Sequence, residues 1–217
     1  MSTQKKQLKN LALAICTCLL AISLYSPAFG KMIALLPIHD ARLQTSQLAM
    51  VERSLGEDLD TTLKAATSTL LAQGMSNDSI VPYVAVMSKQ NVVPNAPTTS
   101  AFGAVGAVLA GDRLIVRGSF SNLTSPMRDY ATDPVDPPNS NITSAFHLHQ
   151  GDSSMNGPFQ YALNVMLDET ERGGSVAGEY TLSADQLQAL SEGLLYVDLH
   201  TTRNRGGELR GILMPSA

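Results

Sequence analysis

The clearest alternation of apolar and polar positions runs from Phe159 to Leu167, where Phe159, Tyr161, Leu163, Val165 and Leu167 interleave with Gln160, Ala162, Asn164 and Met166. Successive side chains of a strand point to opposite faces, so this period of two predicts a single half-buried strand. Val81 to Met87 opens with the same alternation. Ala101 to Leu109, the tight Gly111-Asp112 turn, and Leu114, Val116, Gly118 and Phe120 together predict a β-hairpin. Gly173-Gly174 leads into a strand through Val176, Gly178, Tyr180 and Leu182, and Asn204 to Gly207 turns the chain into a last strand from Glu208 to Met214.

Two stretches break this rhythm with a helical period. Leu55, Leu59, Leu63, Ala66 and Leu70 recur at helix spacing between Glu52 and Gln73, with Glu57, Asp58 and Asp60 at the positive end of the helix dipole and Gly74 placed as a C-terminal cap. The stripe is narrow, which suits either a helix packed on the following domain or a loosely attached spacer. A short second helix is expected from Ser183, its N-cap, through Leu187 and Leu190 to Gly193. Ser125 to Ser140 carries four prolines and three aspartates, reads as a polar loop excluded from any ladder, and is more simply a tolerated insertion than a functional lid. Many short strands joined by Gly- and Pro-rich turns argue for an all-β, antiparallel sandwich or barrel, preceded by a helical segment.

Composition changes the picture mainly at the N-terminus. Lys5, Lys6 and Lys9 precede the apolar run from Leu11 to Tyr25, and Ser26-Pro27-Ala28-Phe29-Gly30 follows with small residues. This is the layout of a cleaved secretory signal peptide, and the run is short of the roughly 20 residues a spanning helix needs. The expected organisation is therefore a signal peptide over 1–30, a helical or linker segment over 31–79, and one domain over 80–217. The expected location is secreted or periplasmic, without stable membrane insertion after cleavage. Both cysteines, Cys16 and Cys18, fall inside the apolar run, so the exported form is expected to rely on its apolar core rather than on disulfides. Loss of the three lysines shifts the formal charge from −4 to −7, which disfavours nucleic acid as a partner.

Three of the four histidines lie in two strand-like segments. His147 and His149 share one face of Ala145-Phe146-His147-Leu148-His149, while Tyr196, Asp198 and His200 share the face opposite Leu195, Val197 and Leu199. Imidazoles gathered on the wetter faces of two strands point to one copper or zinc ion held by His147, His149 and His200, since neutral imidazole suits both metals. The competing reading has the same histidines bracing the fold through hydrogen bonds to loop carbonyls or to Asp198 and Asp152. His39 is expected to be uninvolved. Glu208 and Arg210 read as members of a surface salt-bridge network, and Arg203 with Arg205 as a solvated basic tip. No serine stands in a nucleophile-elbow pattern.

Several ordered blocks also resemble one family. Asn91-Val92-Val93-Pro94, Phe120-Ser121-Asn122-Leu123, Phe146 to His149 leading to Asn156-Gly157-Pro158, Tyr196 to Thr201, and Gly206-Gly207-Glu208-Leu209-Arg210-Gly211 are similar to the chordin, or CHRD, domain between about Val84 and Leu213. That resemblance implies an immunoglobulin-like or related Greek-key β-sandwich and an extracellular binding or protein-interaction role rather than catalysis. The order of the histidines also resembles that of copper/zinc superoxide dismutases, with His147 and His149 as the paired ligands and His200 as the late one. The bridging position offers Asn156-Gly157-Pro158-Phe159 and no histidine, so a binuclear dismutase site is not expected. The function read from the sequence is thus an exported binding protein with one metal ion; a protein-interaction or envelope-structural module comes second and a copper-dependent redox enzyme third.

Overall fold

Val81–Met87 (β1) exposes and buries its residues in turn, with Tyr83, Ala85 and Met87 directed into the core. It pairs antiparallel with Phe102–Ala110 (β2), which turns through Gly111 and Asp112 into Arg113–Ser121 (β3), the hairpin expected from the sequence. In a computed structural model that describes residues 56–216, ten strands form two antiparallel sheets within the compact unit Asp58–Ser216. The larger sheet has the order β10-β1-β2-β3-β7-β6, where β6 is Asn164–Leu167, β7 Gly174–Thr181 and β10 Met214–Pro215. The smaller has the order β5-β4-β8-β9, with β4 at Phe146–Gln150, β5 at Phe159–Ala162, β8 at Leu195–Leu199 and β9 at Leu209–Ile212. The chain is an all-β sandwich, as the strand-and-turn pattern predicts.

Parity along each strand builds the main core. Val105, Ala107, Leu114, Val116 and Phe120 from the larger sheet share one buried cluster with Phe146, Leu148, Leu195, Val197 and Leu199 from the smaller. Each large aliphatic or aromatic side chain removed from water here contributes about 1.5–3 kcal/mol. The opposite residues of β2 and β3, Val108, Ala110 and Ile115, form a second cluster with Ala66 and Leu70 of the helix α1, whose described part is residues 56–72. Gly106 lets the helix come close, because a Cβ there would lie 2.8 Å from Thr62 Oγ1 and 3.0 Å from a Leu63 carbon. The helix packs on the domain rather than trailing from it, and it ends as its cap predicts, with Gly74 at φ 87°. The second helix, Ala184–Ser191 (α2), carries a capping box in which Ser183 and Gln186 bond each other's backbone N–H groups.

Three strand expectations are corrected. Phe159 to Leu167 is not one strand: it breaks at buried Leu163, whose N–H bonds to Phe146 O, and continues as β6 in the other sheet. A register shift opposite Leu148 and His149 also makes Gln160 an extra residue, so His149 faces Phe159 while Leu148 faces Tyr161. The last strand likewise breaks at Leu213, and Met214–Pro215 joins β1 in the larger sheet. The proline-dense loop does contribute one bridge, between Met127 and Thr201. The signal peptide, Cys16, Cys18, His39 and Leu55 lie outside the described residues.

Candidate metal centre

The outer face of the smaller sheet is where parity delivers its polar side chains. His147, Asp198 and Arg210 are in register across β4, β8 and β9, and His149 stands opposite Tyr196 in the next row. His200 follows β8 by one residue, its N–H bonded to Ala145 O. The face is not wet, as the alternation suggested: His147 is 2% exposed and Asp198 3%. It is roofed by the segment after β3, whose Tyr130 ring lies 5.3 Å from the His147 ring and 6.4 Å from that of His200, and by Phe159, 5.3 Å from His147.

The three histidines converge on one carboxylate oxygen. His200 Nε2 lies 3.0 Å, His149 Nε2 3.2 Å and His147 Nδ1 3.7 Å from Asp198 Oδ1. One ligand atom from each of these four residues falls within 4.8 Å of all the others. Four ligands at about 2.0 Å from a tetrahedral zinc ion would stand about 3.3 Å apart, so the three distances bracket that edge length. His149 Nε2 is buried and lacks a hydrogen-bond partner, as a lone pair reserved for a cation would.

The remaining ring nitrogens decide which lone pairs face inward. His147 Nε2 donates to Ser144 O at 2.7 Å, His149 Nδ1 to Gly157 O at 3.0 Å, and His200 Nδ1 to Arg205 O at 2.9 Å. A ring that donates outward from one nitrogen presents the other toward the centre, which is how metal-bound histidines are oriented. The carbonyls come from three separate connections, so irregular segments, not strands, aim the imidazoles.

Charge is unevenly distributed among the four groups. Burial lowers His147 to about 4, outweighing the nearby Asp198 carboxylate, and keeps that ring neutral. Burial acts against a charged His200 as well, but Asp198 and the Arg205 carbonyl raise it above the ordinary histidine value. Asp198 lies well below the usual carboxylate range: burial opposes its ionisation, and His200 and His149 overcome that. Asp198 thus favours a proton on His200 Nε2, the ring nitrogen 3.0 Å from its Oδ1.

The structure brings together His147, His149 and His200 and adds residues that the sequence reading did not place at the centre. Asp198 was taken as a hydrogen-bonding partner, yet its equal parity with His200 was the signal that it stands at the centre of the cluster. Tyr130 gave no signal, because it lies in a stretch without periodicity. The loop reads better as a cover than as an insertion: Arg128 stacks 4.4 Å from the Tyr130 ring and bonds Asp133, and Asp133 also pairs with Arg205. Arg205 is thus tied to the cover rather than standing as a free basic tip. Asp152 bonds Ser154 and takes no part in the centre.

Glu208 and Arg210 are also corrected, since both are buried and neither contacts the other through an ion pair. Glu208 accepts from Thr99, Thr124, Thr201 and Asn204 at 2.6–3.0 Å. Arg210 lies 4.2 Å from the Tyr196 ring and 3.8 Å from Asp198 Oδ2.

A two-sheet antiparallel sandwich with a roofed cluster of three histidines and one carboxylate on its smaller sheet is the class these observations define. The chain belongs to the CHRD-domain family, whose model matches residues 83–213. Among curated proteins none matches it.

Proposed function

We propose that this CHRD-domain protein is a binding protein that holds one zinc or copper ion through His147, His149 and His200, with Asp198 Oδ1 as the fourth donor. The observation that carries this reading is the orientation of the imidazoles: three rings donate outward to backbone carbonyls, and the inner nitrogens meet at one carboxylate oxygen. Three nitrogens and one oxygen suit Zn²⁺ or Cu²⁺ better than Ca²⁺ or Mg²⁺, which prefer oxygen alone. Four protein donors leave a tetrahedral ion without an open position, which favours binding or bracing over catalysis.

Export through a cleaved signal peptide goes with this reading. Lys5, Lys6, Lys9 and the apolar run that follows support it, and among the described residues no helix is long and apolar enough to cross a membrane. Calorimetric titration of the purified protein with Zn²⁺ and with Cu²⁺ tests the binding claim. A single site that is lost in His147→Ala, His149→Ala and His200→Ala supports it, and variants that bind as well as the original chain refute it.

A further inference from the structure

The Asn156-Gly157 turn contributes no ligand, yet two side chains hold it in place through three hydrogen bonds. Tyr196 Oη accepts the Gly157 N–H at 2.8 Å, Arg210 Nη1 donates to Met155 O at 3.0 Å, and Arg210 Nη2 to Asn156 Oδ1 at 2.5 Å. Gly157 O in turn accepts from His149 Nδ1. The His149 ring lies parallel to that of Tyr196, 5.2 Å away with 6° between the planes, and the Arg210 guanidinium lies against the same tyrosine. Arg210 is 1% exposed and its Nε has no partner, so its burial is not explained by a complete set of hydrogen bonds of its own. No side chain fits at 157, because a Cβ would lie 2.0 Å from Gln150 O.

Resting on the metal reading above, we infer that Tyr196 and Arg210 are positioning residues for the ion: together they clamp residues 155–157, and the clamped Gly157 carbonyl fixes the ring angle and tautomer of His149. The planar guanidinium serves both tasks at once, stacking on the ring while its two terminal nitrogens reach separate acceptors on the turn, which a lysine cannot do. Outer partners of this kind typically change metal affinity by about 10- to 100-fold. The clamp also assigns a physical role to Asn156 and Gly157.

Tyr196→Phe removes only the acceptor for Gly157 and keeps the ring beside His149. Asn156→Ala, at an exposed position, removes one Arg210 contact without disturbing the core. Zn²⁺ titration of the whole chain should show Kd raised about 10-fold in Tyr196→Phe, and raised in the same direction in Asn156→Ala. The metal-free proteins should melt close to the original chain. Loaded with Co²⁺, Tyr196→Phe should show a changed d–d absorption envelope, reporting a reoriented His149. Unaltered Kd and spectrum in both variants would overturn the clamp while leaving the metal site standing. Absence of Zn²⁺ and Co²⁺ binding by the original chain would overturn the metal reading and the clamp with it.

Discussion

His147 and Asp198 are partners in register across β4 and β8, with His147 Nδ1 3.7 Å from Asp198 Oδ1. Adjacent strands therefore place an imidazole beside a carboxylate without any loop, and His149 and His200 close on the same oxygen from the next row and from the strand end. Asp198→Asn keeps the shape and removes the charge. It should weaken Zn²⁺ binding at least 10-fold in calorimetry while the far-ultraviolet circular dichroism stays that of the original chain. Unchanged affinity would assign the ion to the histidines alone.

The roof over the centre can be tested by rate. Tyr130 packs against His147 and His200 and is itself pushed up to about 12 by burial, with Arg128 acting in the other direction. Tyr130→Ala opens that side of the cluster. Zinc release to a chelator, followed by stopped flow, should accelerate several-fold with a smaller change in stability than a core truncation gives.

Glu208 supplies a pH-dependent component of stability that is separate from the histidine cluster. Burial would raise its carboxyl, but hydrogen bonds from Thr201, Thr99, Asn204 and Thr124 hold it below its ordinary value. The folded state thus favours the ionised form, so the stabilisation is present above the unfolded value and is lost as pH falls through the folded one. Glu208→Gln should cost about 2–3 kcal/mol at pH 7 in urea denaturation, consistent with hydrogen bonds to a charged group. The difference from the original chain should narrow as pH falls below about 4.

The core prediction is simpler. Leu148 is fully buried between the sheets, and Leu148→Ala should destabilise the domain by about 2–5 kcal/mol in the same assay. Ser183→Ala, which removes one half of the α2 capping box, should cost about 1 kcal/mol.

Local pattern was enough for much of this architecture. The β2–β3 hairpin and the Ser183 cap depend on residues close in sequence, and periodicity with turn chemistry shows them directly. Strand parity was also enough to set His147, His149 and His200 on two outward faces. Whether two such faces meet depends on strand order, which is a long-range choice, and the pairing of β4 with β8 decides it. The break at Leu163 was hidden because the sequence alternation runs on through it, and the extra residue at Gln160 was hidden with it, so that Phe159 lies on the outer face and Tyr161 on the inner one. Arg210 was misread because a cation in a final strand ordinarily points to water. Here the Asn156-Gly157 turn and Tyr196 enclose it, and neither contact is local to β9. Tyr130 shows the limit most plainly, since a loop without period carries no statement of what it covers.

The most direct test of the central claim is X-ray absorption at the zinc edge of protein loaded with one equivalent of Zn²⁺. The account predicts about four ligands at about 2.0 Å, with the outer-shell scattering of three imidazoles and the remainder from a carboxylate oxygen. A spectrum with fewer than three imidazoles, or a protein that retains no zinc on desalting, would contradict it.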